Sequence, residues 1–257
     1  MSALPRPIHC GLLLLLVLAG CTRGAAPQPA PATRHPDFSG FWNLDLKVPR
    51  DPQLMSQVAP NTAFLDDTGP AELPRGNYGG LQLTPAAQQK ALHWDPRETL
   101  TLANVCRPPS IVYALQGPFP IEIFQSDTFI VMKLEYYDLV RLIFLDGRKP
   151  DADYPHSMTG FSRGHWEGST LVVETDHLEA ATITNNGLDH TENVRVLERF
   201  RLSDDGRHLL ATQEFEDPAV ITNRGVRFIA WTRAPGHVFP YECDPSFAQN
   251  YAGKSAQ

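Results

Sequence analysis

Histidines and carboxylates that could move protons are the first chemical feature of this sequence. His156, His165 and Glu167 lie in predicted loops or near strand ends, where β-barrels carry functional groups, and Glu198 lies in an apolar row of a predicted strand. A histidine beside a carboxylate can transfer a proton in an isomerase, lyase or hydratase, or can activate water. The structural interpretations are solvated turns for the first three and an ion pair with an arginine inside a barrel for Glu198. These four residues are the candidate catalytic groups.

A second set of side chains suits the binding of an apolar molecule. Tyr136, Trp166 and Trp231 could line a cavity, and an arginine such as Arg163 could orient the polar end of a ligand. The simpler interpretation of the aromatic residues is packing in the core or the barrel wall. The sequence leaves both interpretations open.

Two other patterns resemble functional motifs, but their sequence context argues against those functions. Gly160 to Gly164 fits the G-x-S-x-G nucleophile elbow, but that motif requires a strand, a turn and a helix, and here a predicted strand follows Gly168. The histidines match no compact ligand spacing such as H-E-x-x-H, so no metal site is predicted. The chain also has no glycine-rich nucleotide loop and no C-x-x-C-H haem motif, and no cofactor is predicted.

The N-terminus predicts export and lipid attachment. Arg6 precedes the apolar run Gly11 to Ala19, which is too short to span a bilayer and is typical of a signal peptide. The run ends in Leu18-Ala19-Gly20-Cys21, which resembles the lipobox of bacterial lipoproteins. The resemblance implies cleavage after residue 20 and acylation of Cys21, and two acyl chains give a stable membrane anchor. Because Thr22 and not Asp follows, we expect an outer-membrane location facing the periplasm.

Composition sets the domain plan and excludes one class of partner. Residues 21–36 are rich in proline and alanine and predict an extended tether, so the folded domain is expected over residues 37–257. The net charge is −7 and the chain has no cluster of lysine and arginine, which argues against nucleic-acid binding. The expected partners are therefore the membrane, through Cys21, and a small apolar ligand.

The four cysteines have different expected roles. Cys10 leaves with the signal peptide and Cys21 is the lipidation site, which leaves Cys106 and Cys243 in an oxidising compartment. A disulfide between them is predicted, and chain-entropy arguments assign it roughly 4 to 5 kcal/mol. The alternative is two unpaired buried thiols.

Strand signals dominate the rest of the chain. Short runs rich in β-branched and aromatic residues are separated by turn pairs such as Asp146-Gly147 and Asp205-Gly206. The clearest helix signal is Thr84-Pro85, an N-cap followed by proline at the first helical position. Alternation over Val194 to Leu202 predicts that Glu198 shares the inward face with apolar residues, because arginines dominate the other face. The predicted strands cover residues 121–124, 128–134, 139–145, 169–175, 193–202, 208–215 and 226–232.

Two resemblances add to this pattern. Gly40-Phe41-Trp42 resembles the G-x-W of the lipocalin superfamily, whose tryptophan closes one end of an up-and-down barrel. Gly160 to Thr175 resembles a signature, G-x-S-x-G-x-W-E-G-D-T-L-V-V-x-T, of a family of uncharacterised secreted bacterial proteins. The second resemblance implies export and a fold but no activity. Family members often end in Cys-His-Glu, whereas Cys243 is followed here by Asp244-Pro245.

Together these features predict a mainly β protein with a single antiparallel β-barrel, lipocalin-like, and one or two short helices, with a β-sandwich as the alternative. The leading functional hypothesis is a lipid-anchored barrel that binds a small, largely apolar molecule in its cavity. The alternatives are an enzyme that uses a histidine–carboxylate pair in the same cavity and a structural envelope lipoprotein.

Overall fold

Short strands account for most of the computed structural model, which describes residues 35–250. The predicted signal peptide, Cys21 and the tether up to residue 34 lie outside the described residues. The strands are β1 (Gly40–Leu44), β2 (Thr62–Phe64), β3 (Ile121–Gln125), β4 (Phe129–Leu134), β5 (Val140–Phe144), β6 (Phe161–Glu167), β7 (Thr170–Asp176), β8 (Ala181–Thr184), β9 (Leu188–His190), β10 (Arg195–Leu202), β11 (His208–Glu216) and β12 (Arg224–Ala234). The helices are α1 (Pro52–Met55), α2 (Pro85–Leu92), α3 (Pro96–Thr99) and α4 (Ile111–Ala114), with 3₁₀ turns at Tyr136–Asp138 and Pro245–Asn250.

Nine of these strands close into a barrel in the order β1-β3-β4-β5-β6-β7-β10-β11-β12, with β12 pairing back to β1. The predicted single barrel is therefore confirmed, and the β-sandwich alternative is not what the chain forms. An odd number of strands cannot alternate in direction all the way around a ring, so one neighbouring pair must be parallel. That pair is β5 and β6, where Ile143 lies opposite Ser162, and residues 145–160 carry the chain back between them.

The seven predicted strands correspond to β3, β4, β5, β7, β10, β11 and β12, whereas β2, β6, the β8–β9 hairpin and the helices other than α2 were not predicted. Helix α2 begins as predicted, with Thr84 Oγ1 accepting from Ala87 N at 3.3 Å. Strand β6 was not predicted, because its glycine and charged residues resemble a turn. A Cβ on Gly164 would lie 2.8 Å from Leu145 Cδ2, so glycine is what lets β6 pack against its neighbours. Strand β2 lies within residues 61–74, where no strand was predicted.

One end of the barrel is closed by aromatic packing. Trp42 is fully buried, and its Nε1 donates to Phe38 O at 2.9 Å. The Arg233 guanidinium lies 4.1 Å from the Trp42 ring centroid and donates to Ser39 O and Asp37 O. The G-x-W tryptophan thus closes this end, which we call the closed end.

The opposite end, the mouth, is covered by chain segments that lie across it. Every residue of α4 is buried there, and the β8–β9 hairpin packs beside it. The C-terminal tail reaches the same end through the Cys106–Cys243 disulfide, whose Cα atoms are 5.8 Å apart, so the predicted bridge is confirmed. None of the helices described is long and apolar enough to cross a membrane.

Candidate functional site

The centre of the barrel contains a group of bonded polar side chains, which we call the lumen cluster: Arg141, Ser162, Thr175, Glu198 and Gln213. Arg141 donates to both carboxylate oxygens of Glu198, through Nη1 at 3.1 Å and through Nη2. It also donates to Ser162 Oγ at 3.0 Å and to Thr175 Oγ1 at 2.7 Å. Gln213 Nε2 donates to Glu198 Oε1 at 3.1 Å. The bidentate arginine and the amide therefore compensate the burial of the Glu198 carboxylate.

Strand alternation places this cluster. Its members come one each from β5, β6, β7, β10 and β11, and each points inward because its neighbours along the strand face the other way. Glu198 lies directly opposite Gln213, and Ser162 directly opposite Thr175. The predicted inward face of Val194 to Leu202 and the interpretation of Glu198 as half of an ion pair are both confirmed.

A second buried arginine connects the barrel to the segments over the mouth. Arg227 of β12 pairs with Asp67 through Nε at 2.7 Å and Nη2 at 2.6 Å. It also donates to the carbonyl oxygens of Val112 at 2.8 Å and Ile183 at 2.6 Å. Because Val112 belongs to α4 and Ile183 to β8, this one side chain fixes both segments to the barrel interior.

The predicted catalytic residues do not meet in one site. Glu198 is 0% exposed in the lumen cluster. His165 Nε2 lies 3.2 Å from Glu167 Oε1, so these two do form a histidine–carboxylate pair, but both side chains are 59% exposed on the outer wall. His156 is exposed on the crossover between β5 and β6, with its ring centroid 5.4 Å from that of His177.

The predicted ligand-binding residues are also dispersed. Trp231 is fully buried in the core, and Trp166 packs near the closed end against His35 and Phe38. Arg163 lies on the outer wall and pairs with Asp176 at 3.1 Å. Tyr136 alone among the four lines a concave surface at the mouth.

That surface, which we call the mouth cleft, consists of two adjoining hollows of about 420 and 430 Å³. Both volumes lie within the range of small-molecule sites. Asn185 lines both hollows, while Lys90 and His190 line the first. Its larger apolar and aromatic residues are Trp94, Leu100, Val105, Tyr113, Tyr136 and Tyr137, and charged side chains, among them Glu72, Lys90, Glu98, Arg107 and Asp189, line it as well.

Tyrosine rings organise the cleft. Tyr137 stacks on Tyr241 with ring centroids 4.6 Å apart and meets Tyr136 edge-on at 4.8 Å. Burial raises the pKa of Tyr113, and the nearby Glu72 carboxylate adds to the effect; burial likewise raises the pKa of Tyr136. The Tyr113 and Tyr136 hydroxyls therefore stay protonated and neutral in a cleft that also contains charged side chains.

The turn that carries two of these tyrosines has a strained backbone. Tyr137 and Asp138 have φ angles of 57° and 53°, a region that non-glycine residues occupy at a cost. The turn is fixed by Tyr137 Oη donating to Val105 O at 2.9 Å and by Tyr241 N donating to Asp138 Oδ1 at 3.1 Å. Such strain is concentrated at functional sites, where the surrounding structure holds it in place.

A buried serine–histidine contact lies beside the cleft, and sequence reasoning did not assign it a role. Ser110 Oγ lies 2.6 Å from His190 Nε2, and His190 Nδ1 lies 2.9 Å from Thr191 O. The carbonyl fixes the proton on Nδ1, so Ser110 donates to Nε2. Burial lowers the pKa of His190, which keeps the ring neutral. No local spacing marks this pair, since 80 residues separate its members.

Proton-transfer pairs of the predicted kind lie elsewhere. The histidine–carboxylate contacts at His165–Glu167, His177–Asp176 and His237–Glu122 involve no residue that lines the mouth cleft. Within residues 35–250, no group of three or more histidine, cysteine or acidic side chains is placed to hold a metal ion.

Comparison with known proteins gives no independent assignment: no protein-family model matches the chain, and no curated protein matches it. The resemblance of Gly160 to Thr175 to the secreted family stays a prediction. The structure gives that segment a local role, because Gly160 has φ of 61° and a Cβ there would lie 2.4 Å from Asp176 O. Ser162 is buried in strand β6 and bonded to Arg141 and Thr175, which is not the geometry of a nucleophile elbow.

Proposed function

We propose that this protein is a lipid-anchored barrel of the bacterial envelope, facing the periplasm from the outer membrane, that binds a small, largely apolar molecule in the mouth cleft. The observation that carries the proposal is the tyrosine-lined cleft built on the strained Tyr136–Asp138 turn. The aromatic rings supply apolar surface for the ligand, and the polar and charged side chains among them supply groups for its polar end. Lys90, Asn185 and the tyrosine hydroxyls are the groups that would orient that end.

The mouth is a better place for the ligand than the lumen. The lumen cluster is fully buried and its charged groups are paired with each other, so a ligand there would have to separate Arg141 from Glu198. The mouth cleft is open to solvent, and the side chains of Trp94, Tyr136 and Tyr137 are partly exposed there.

Native mass spectrometry of the mature chain, purified in mild detergent from the envelope of a bacterial host, tests the proposal. We expect a non-covalent adduct that is lost on denaturation, and the mass of the released N-terminal peptide should include the acyl groups on Cys21. Substitution Tyr136→Ala should weaken the adduct, whereas Phe64→Ala, an exposed aromatic outside the cleft, should not. A bare polypeptide mass after exposure to lipid and metabolite extracts would contradict the binding role.

Trp94 supplies a second readout, because it lines the cleft while Trp42 and Trp231 are buried in the core. Ligand identified by mass should change the tryptophan fluorescence of the native chain, and Trp94→Phe should abolish that change. A fluorescence change that survives Trp94→Phe would place the ligand away from the mouth.

The second candidate is a structural envelope lipoprotein, favoured by the filled and bonded lumen. It predicts no adduct in any preparation and loss of envelope integrity when the gene product is absent. The two candidates are therefore separated by the same mass measurement.

A further inference from the structure

An exposed apolar face covers one side of the barrel. It is formed by outward side chains of three neighbouring strands, β3, β4 and β5, whose register aligns Phe124 with Val131 and Val131 with Leu142. Val140 is 56% exposed and Phe124 46%, so the face is open to solvent in the described residues. We call it the apolar wall: Phe124, Phe129, Val131, Val140, Leu142 and Phe144.

Outward positions on other strands of the barrel show that this composition is not required by the fold. Outward positions on β6, β7 and β11 carry Arg163, Glu174 and Glu214, and Arg163 and Glu214 pair with Asp176 and Arg199. Outer faces of antiparallel sheets are usually polar in this way. A contiguous apolar patch on a protein surface therefore indicates a site of interaction with another protein or with a membrane.

The position of the first described residues indicates what covers the apolar wall. Gln125, which ends β3 next to Phe124, donates through Nε2 to Pro36 O at 2.8 Å and accepts from Phe38 N at 3.0 Å. The chain leading to Cys21 therefore enters beside the apolar wall. Residues 22–34 separate Cys21 from His35, and an extended proline-rich chain of that length spans roughly 40 Å. A lipid on Cys21 would hold this wall within about that distance of the bilayer.

Cationic side chains at the edges of the wall suit a phospholipid surface. Lys133 Nζ lies 5.1 Å from the Phe124 ring centroid, and the Arg148 guanidinium lies 4.3 Å from that of Phe144. Such side chains cover apolar surface with their stems and extend their charge toward headgroup phosphates. Arg148 also pairs with Asp146. Two other acids lie near the wall: Glu122, which is opposite Lys133 in the β3–β4 register and bonded to His237, and Asp127 in the β3–β4 turn.

We propose that the apolar wall docks on the surface of the phospholipid bilayer that carries the lipid anchor. This inference rests on the proposed acylation of Cys21, which raises the local concentration of the wall at the membrane so that modest apolar burial is sufficient. The wall extends from the tether end to Val140, beside the strained turn of the mouth. Docking therefore brings the mouth cleft next to the membrane, where an apolar ligand is most concentrated.

The test uses the full mature chain, acylated in a bacterial host and reconstituted in vesicles of phosphatidylethanolamine and phosphatidylglycerol. An environment-sensitive fluorophore is attached at Thr128→Cys, next to Phe129, or at Asp205→Cys in the β10–β11 turn, and doxyl-labelled lipids serve as quenchers. We expect quenching several-fold stronger at residue 128 than at residue 205. The variant F124S/F129S should reduce quenching at 128 to the level at 205, whereas the control variant L46S/F64S, on exposed apolar residues outside the wall and outside the mouth cleft, should leave it unchanged.

Each other outcome overturns the inference in a recognisable way. Equal quenching at both positions, in chains that float with the vesicles, rejects docking while the anchor stands. If the chain does not float with the vesicles, Cys21 does not carry the anchor. A hexahistidine tag in place of Cys21 then binds the chain to nickel-chelating lipids, and quenching at the same two labels tests docking. A concentration-dependent dimer in detergent that F124S/F129S abolishes, without lipid quenching, would show that a second copy of the chain covers the wall.

Discussion

The lumen cluster and the mouth cleft both gather polar side chains from distant parts of the chain, but they use them in opposite ways. In the lumen, Arg141 and Glu198 are 0% exposed, and they satisfy each other. At the mouth, Tyr136 and Tyr137 are partly exposed and lie on a strained turn. The difference teaches that polar residues pointing inward from strands maintain this fold, whereas polar residues on segments across the strand ends are available for ligands.

The largest effect should come from breaking the lumen pair. Arg141→Met leaves the Glu198 carboxylate buried without its cation, and we expect a loss of about 3 to 5 kcal/mol in the free energy of unfolding. Urea denaturation of a chain that begins at residue 21, with Cys21→Ser, measures it. The double variant R141M/E198L should recover most of the loss, because no buried charge is then left. A loss below about 1 kcal/mol for the single variant would mean that water enters the lumen.

Removing the disulfide should have the next largest effect and should act on the mouth. C106A/C243A opens a loop closed over a sequence separation of 137, and we expect a loss of about 2 to 4 kcal/mol. Hydrogen exchange should show the greatest loss of protection around Tyr241 and the 3₁₀ turn that it stacks on, with little change at β10 and β11. Reduction of the unmodified chain serves as the control, and uniform deprotection would contradict a local role.

Acidification should weaken the contact beside the mouth cleft by a smaller amount. Because burial lowers the pKa of His190 below its usual 6.5, the folded state favours the neutral ring. The resulting stability is fully present above about pH 6.5 and is lost as the pH falls, since the unfolded chain then takes up a proton that the folded chain does not. We expect stability to fall between pH 6.5 and pH 5.5, by at most about 1 kcal/mol from this group. His190→Asn should flatten that slope, and parallel pH profiles would refute the assignment.

The smallest effect is expected at the exposed pair on β6. His165→Ala and Glu167→Gln should each change the free energy of unfolding by no more than about 0.5 kcal/mol, because solvent screens pairs as exposed as this one. The same variants should leave the adduct at the mouth unchanged in native mass spectra. A loss of the adduct would show that this histidine–carboxylate pair belongs to the functional site after all.

Much of the barrel could be predicted from local pattern. Alternation over Val194 to Leu202 identified the inward face correctly, and turn pairs marked most strand ends. Strand β6 was not predicted, because the close approach of Gly164 to β5 is a tertiary contact that leaves no local sequence pattern. The parallel pairing of β5 with β6 was also not predicted, because it follows from closing a ring of nine strands and not from the sequence of either strand alone.

The candidate site was less predictable than the fold. Tyr136 was identified because aromatic residues suit apolar ligands, but Trp166 and Trp231, chosen on the same ground, lie near the closed end and in the core. Residue type could not separate them, since the same ring packs a core or lines a cleft. Ser110 and His190 meet only because α4 and β9 lie side by side over the mouth.

By itself, the sequence determined the strand-rich class, the inward position of Glu198 and the partnership of Cys106 with Cys243. These follow from periodicity, residue type and cysteine arithmetic, which act over short distances or leave a single choice. Only the tertiary structure decided that Arg141 is the partner of Glu198, that the lumen is occupied, and that the concave aromatic surface lies at the mouth. The physical reason is that these contacts join strands and loops far apart in sequence, and their geometry exists only once the ring of strands has closed.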